Sequence, residues 1–574
     1  MKGEDALLLA MSYTDSQMEA CGNVTIDDET HASGKTYSSD KIKELVDGKA
    51  AVSVNQTLEG TETALDEITI DGTKYRINNI QIFDTMPANE VLLAMPNNFV
   101  FETRGFYSKT DGHGGKYKIL TSADNARGGI KLNTEGTNKY LVAIDQQQGA
   151  AMDYIDVCRY GIREYGKNTI DFSTITKSNT YAESNSAIMS KFVEADRGTY
   201  FQFPVGRFFF ETPLSFTGNN TYGIRGASSP CGTTDSSYKG YAQSVGTATL
   251  YFPFLTNGQV AITVQNANLE NFELVGNPTT YNIAFDRSKT VSAPNEVVTE
   301  TIATSEGADV KCTGISKTGN GFVRNVNVFN FYLGATFTTG NHYIENFYAR
   351  QCHTGLSIGN DIKCVGIYGW AVNTLLEMRG SLASAVQVRV DSCVHAVRII
   401  NGNAITLTDV DGDYCTDSLI AVGDGTSGKA VQQSVFAGIH GRCCVLKAYD
   451  NTQTTSPDVR ELADTSGYGV IRVENNCTFQ DNIVIPNRIG NDQFDSGAFT
   501  NSSKYRTPDI LITFGATSTV VKRNQFKFND ATIDDATDIL KSVQTKSGAS
   551  ARFDLFNGTY FMDGSTITTY AIAT

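Results

Sequence analysis

The chain has 574 residues, 47 Lys and Arg against 62 Asp and Glu for a net charge of −15, and only 19% charged residues beside 40% hydrophobic ones. This balance excludes a disordered chain and argues against nucleic acid as the main partner. No apolar run approaches the length of a membrane span, and no basic segment leads into a signal-like core, so membrane insertion is not expected.

The first fifty residues read as helical. Asp5 to Met11 opens one apolar stretch, and Thr36 to Leu45 offers a second short helix with Ser38 or Ser39 as its N-cap. Helices this short cannot bury their apolar faces alone, so residues 1–50 are either an adaptor packed on a larger particle or a frayed terminus. From 51 to 150 the pattern changes to short strands, and Ile68 to Ile77 alternates around Asp71-Gly72 as a hairpin. The cluster Asp111-Gly112-His113-Gly114-Gly115 lacks the spacing of a phosphate loop, and His113 reads as a loop residue rather than a ligand.

The repeat pattern is the most informative feature. Val326, Phe347, Ile367, Val388 and Thr408 each open a four-residue strand pattern, with starts separated by 21, 20, 21 and 20 residues. Alternation with period two at a fixed rung length predicts parallel strands stacked without intervening helices. A second column, Phe331, Cys352, Val372, Cys393 and Cys415, reads as a stack of inward side chains at a corner. The 11 cysteines are then explained as buried small hydrophobes, in preference to a thiol nucleophile or metal cluster formed with His353 and His395. Weaker rungs at Thr199 to Phe210, Ala261 to Val264 and Leu269 to Val275 extend the ladder towards the N-terminus. The fold class expected is all-β: a right-handed parallel β-helix over 151–455, after the adaptor and a small β head, with a β-rich region over 456–574.

The stretch Met152 to Gly161, followed by Ser186-Ala187-Ile188 and Gly198-Thr199-Tyr200-Phe201-Gln202-Phe203-Pro204-Val205-Gly206, resembles the entrance to the pectate-lyase-like β-helices of bacteriophage tailspikes. Arg159-Tyr160-Gly161-Ile162 stands where that family has a Phe-Gly-Ala strand end, and the Asp-Asp-Thr before its capping helix is absent. The resemblance implies a homotrimer on a virion, joined to phage tail or capsid proteins through its N-terminus, that binds and often cleaves a bacterial surface glycan. It also implies that residues 456–574 trimerise the chain or bind receptor.

Outward positions of stacked rungs become neighbours about 4.8 Å apart. One such face is expected to hold Tyr348, Arg350, Tyr368, Trp370, Arg389, Asp391, Asp409 and Asp411. Aromatic rings pack on the apolar faces of sugars, while charged groups fix the hydroxyls. Asp391 and Asp411 are the expected acid pair, at the roughly 5 Å spacing of retaining glycosidases, with Asp409 or Asp413 in reserve. The same residues also suit a plain solvated face, with Arg389 neutralising its acidic neighbours. No resident metal is expected: Asp409-Val410-Asp411-Gly412-Asp413 departs from a calcium loop, with Gly412 one position too early and Ile420 where the bidentate Glu belongs, although alternate carboxylates on a parallel ladder could still gather one Ca2+. A non-catalytic structural fibre or head appendage of the virion is the first alternative, and a Ca2+-dependent polysaccharide lyase with Arg389 as base, which the resemblance to pectate lyases implies, is the second.

Overall fold

The structure, a computed structural model, describes residues 81–123, 154–165, 200–216, 246–277, 311–415, 418–442 and 471–489 continuously, with shorter stretches between 67 and 570. The two helices expected in the first fifty residues lie outside the described residues. The chain divides into two compact units, one of Met1–Gly161 with Lys191–Asp196 and one of Ile162–Ser190 with Arg197–Thr574.

The smaller unit is built on a five-stranded sheet of Gln81–Phe83, Val100–Thr103, Gly115–Leu120, Ile130–Lys131 and Tyr140–Ala143. All its pairings are antiparallel except that of Gln81–Phe83 with Val100–Thr103. Phe101 and Tyr117, both fully buried, stack at 5.5 Å between ring centroids and centre its core.

The larger unit is the right-handed parallel β-helix expected from the repeat. Each full turn contributes three strand faces, seen most regularly between residues 313 and 422. One face stacks Gly321–Arg324 on His342–Glu345 and on the start of Ile362–Met378. A second stacks Val326–Phe329, Phe347–Arg350, Ile367–Trp370 and Val388–Asp391. The third runs through Leu333–Phe337, Thr354–Ile358, Thr374–Met378, Val397–Ile399 and Ile420–Val422. The parallel ladder continues beyond residue 455 through Ile471–Val473, Ile483–Ile489, Ile512–Phe514, Asn524–Lys527 and Ser550–Leu555. It ends in an antiparallel meander of Ser550–Leu555, Gly558–Asp563 and Thr566–Tyr570.

The corners explain how straight strands close into a coil. Between the first and second faces seven successive rungs each place one residue in the left-handed region: Asn271, Asn325, Asn346, Gly366, Gln387, Asp409 and Gly438, with φ between 52° and 70°. Asparagine tolerates that conformation better than other L residues. Here it also builds a ladder, because the Nδ2 of Asn325 donates to Oδ1 of Asn271 at 2.9 Å and that of Asn346 to Oδ1 of Asn325 at 3.1 Å. The core column Phe331, Cys352, Val372 and Cys393 is fully buried, as the repeat predicts. Burial pushes the Cys352 thiol up to about 12 and the Cys312 thiol up to about 11, so these sulfurs behave as packing groups. His353 stacks on Tyr332 at 4.6 Å, and His395 shares hydrogen bonds with the Ser418 hydroxyl and carbonyl.

Candidate functional site

The register of the second face decides which outward side chains meet. Val326, Phe347, Ile367, Val388, Val410 and Ile439 align across successive strands, so the rung from Val388 is 22 residues long, not 20. The additional residues lie in longer corners, and Ala404 takes the left-handed corner φ of 55° on that turn. The sequence pattern misses this because a slip of two residues preserves period-two alternation, whereas a slip of one would turn every side chain over.

Three predicted positions move as a result. Asp391 lies in register with Asp413 instead of Asp411. Asp411 pairs with Arg389 on one side and His440 on the other. Asp409 is no strand residue of this face but the left-handed corner, with φ 57°, and its carboxylate lies 3.8 Å from the Arg389 guanidinium. The expected Asp391–Asp411 pair is therefore offset by two residues along the strand as well as by a rung. Arg389 has the acidic environment of a neutralising surface cation.

The outward column next to it reads Phe209, Tyr251, Val275, Phe329, Arg350, Trp370 and Asp391 in consecutive register. Its first four members are buried under Tyr165 and Phe254, with Phe209 and Tyr251 stacked at 4.6 Å and only 10° from coplanar. The aromatic slab ends at Phe329, where Tyr348 packs edge-on at 5.9 Å, and the half-buried polar part of the face begins. There the Arg350 guanidinium stands 4.2 Å from the Trp370 ring centroid, covering one face of the indole. Asp391 is the in-register neighbour on the following rung. The buried Nε of Arg350 makes no hydrogen bond among the described residues.

A carboxylate not selected from the sequence completes the arrangement. Glu273 stands on the outward column that also carries Thr249, Asn327, Tyr348, Tyr368 and Arg389. It is fully buried, accepting from Thr249 Oγ1 at 3.2 Å and from Asn327 Nδ2 at 3.3 Å. Asn327 follows it by 54 residues, since a long excursion separates those rungs. A search for spacings near 20 passes over such a position. Tyr348 lies between the acids: burial pushes its phenol up, Arg350 opposes the rise, and Asp391 and Glu273 add to it. A phenol held protonated is a hydrogen-bond donor at neutral pH. Tyr348, Tyr368, Arg350 and Trp370 thus share one face with Asp391, as expected, and Glu273 joins them.

No family model matches the chain, and no curated relative does. Among solved structures it is similar to the Acinetobacter phage vb_AbaP_AS12 gp42 tailspike, at 10% identity and TM-score 0.45, over 86% of this chain and 79% of that one. It is also similar to full-length tailspike protein 2 of Escherichia coli O157:H7 bacteriophage CAB120, at 10% identity and TM-score 0.47, covering 89% of this chain but 58% of that longer one. A third likeness is gp49 of Acinetobacter baumannii bacteriophage Fri1, a tailspike and capsular polysaccharide depolymerase, at 12% identity and TM-score 0.30, over 77% of this chain and 75% of that one. Phage tailspikes thus recur among the solved structures this fold resembles.

Proposed function

We propose that the chain is a tailspike-like virion protein that binds a bacterial surface polysaccharide along the face from Tyr348 to Asp391, and that Asp391 acts in cleaving it. The observation that carries this reading is the Arg350–Trp370 stack, which stands beside the Tyr348 phenol and, in register, the Asp391 carboxylate. A flat ring edged by fixed donors and an acid suits a sugar, which offers apolar ring faces and many hydroxyls. Asp391 would protonate the leaving oxygen or activate water. Glu273, held by Thr249 and Asn327, would position Tyr348 through its charge. The homotrimer, the attachment of residues 1–50 to a phage tail or capsid, and the trimerising or receptor-binding role of 456–574 belong to the same proposal and rest on the resemblance of the entrance segment.

The test is a panel of purified capsular and O-antigen polysaccharides, scored for binding and for new reducing ends. Wild type should bind at least one member, Trp370→Ala should weaken binding by about tenfold or more, and Asp391→Asn should abolish cleavage while binding persists. Equal affinity of Trp370→Ala and wild type would overturn the site. Unsaturated products would replace hydrolysis by elimination, and binding without products would leave the chain an adhesive fibre.

A further inference from the structure

A second chemically competent cluster lies in the smaller unit, which carries none of the glycan face. His113, Asp156 and Cys158 each present one ligand atom, and these atoms all lie within 4.8 Å of one another. We propose that these three residues form a transition-metal site, with Zn2+ the ion their donor set fits best.

The sequence does not signal this site, because one ligand comes from a glycine-rich loop and the other two from a separate segment. Local structure brings them together. Asp156 caps the 3-10 helix Val157–Tyr160, accepting from the Cys158 N–H at 3.0 Å, so carboxylate and thiol are fixed side by side. The loop carrying His113 is fastened by Asp111, whose carboxylate accepts from the backbone N–H of Phe106, Tyr107, Ser108 and His113 at 2.6 to 3.1 Å. Tyr117 ties the loop to the helix, its hydroxyl donating to the Arg159 carbonyl at 2.9 Å. The approach is close enough that a Cβ on Gly115 would stand 2.8 Å from the Arg159 guanidinium carbon.

The chemistry of the donors selects the ion. A thiolate and an imidazole beside one carboxylate disfavour Ca2+ and Mg2+, which take oxygen ligands, and suit borderline-soft ions with tetrahedral preference. Bonds of about 2.0–2.3 Å place tetrahedral donors roughly 3.3–3.8 Å apart, so side-chain rotations of about 1 Å close the observed cluster around an ion. Cys158 is buried, whereas His113 and Asp156 are half-exposed and give the ion an entry path. A bound ion would staple the loop to the helix and leave a fourth position to water.

The test uses the full-length chain, stripped with a chelator and titrated with Co2+ and then Zn2+. The proposal expects one saturable Co2+ per chain, strong four-coordinate d–d absorption, a thiolate-to-metal charge-transfer band, and displacement of both by Zn2+. Cys158→Ser should remove the charge-transfer band. His113→Ala, altered at a half-exposed loop position, should lose the saturable binding while keeping the fold. Absence of saturable binding at micromolar Co2+, a band that survives Cys158→Ser, or an unchanged titration of His113→Ala would each overturn the site.

Discussion

Two columns of side chains stand two residues apart on the same rungs and share almost nothing. Phe331, Cys352, Val372 and Cys393 are fully buried and uniformly apolar or thiol. Phe329, Arg350, Trp370 and Asp391 run from a buried aromatic through a cation and an indole to an acid, the last three only half-buried. Residues i and i+2 of a strand normally share a face. Here the residue between them breaks that rule: Asn330, Gln351 and Ala371 have φ of 60°, 52° and 51° and turn the chain inward at the corner. In these three rungs one left-handed residue at this corner therefore separates a monotonous interior from a variable exterior. The interior must repeat because each layer packs on the next, and the exterior is free to carry chemistry.

Truncation should separate the columns most clearly. Phe347→Ala, in the interior of the same rungs, is expected to destabilise by about 3–5 kcal/mol through the cavity it leaves. Trp370→Ala should stay within about 1 kcal/mol of wild type. Chemical denaturation of both variants measures the contrast, and equal losses would place Trp370 in the packed core.

Lys317 sharpens the comparison by violating it. It occupies an inward position in register between Val264 and Phe337 and is fully buried, its Nζ donating to the Asn320 carbonyl at 2.7 Å. Burial pushes it down from 10.5 to about 7, and the same surroundings, with Lys317 itself, push His342 down to about 4. The unfolded chain then holds a proton on Lys317 that the folded chain lacks between pH 7 and 10.5, so stability rises with pH across that window. The penalty is complete below the folded value. Lys317→Met should therefore stabilise by on the order of 3 kcal/mol at neutral pH and flatten the pH dependence above it. A steeper profile, or a loss of stability, would show that the amine supports the fold.

The corner ladder should respond less than either interior position. Asn346→Ala keeps φ at 53° without the side-chain bonds to its neighbour, and a loss of about 1–2 kcal/mol is expected. Asn346→Gly should recover part of it, because glycine takes that φ without strain. A melting series of the two variants tests whether the conformation or the ladder bond dominates.

The sequence by itself determined the solenoid, its interior column and most of the mixed aromatic and charged face, because side-chain alternation and a rung near 20 residues are local and repeat many times. It placed Tyr348, Tyr368, Arg350, Trp370 and Asp391 together correctly. Only the tertiary structure decided the partners at the edges of that face. The longer rung before Val410 moved Asp411 opposite Arg389 and brought Asp413 beside Asp391, a change invisible to a pattern of period two. Glu273 entered across a long excursion, and His113 met Asp156 and Cys158 from separate segments. Repetition writes a core into the sequence, whereas sites formed by irregular corners and distant loops exist only once the chain has closed on itself.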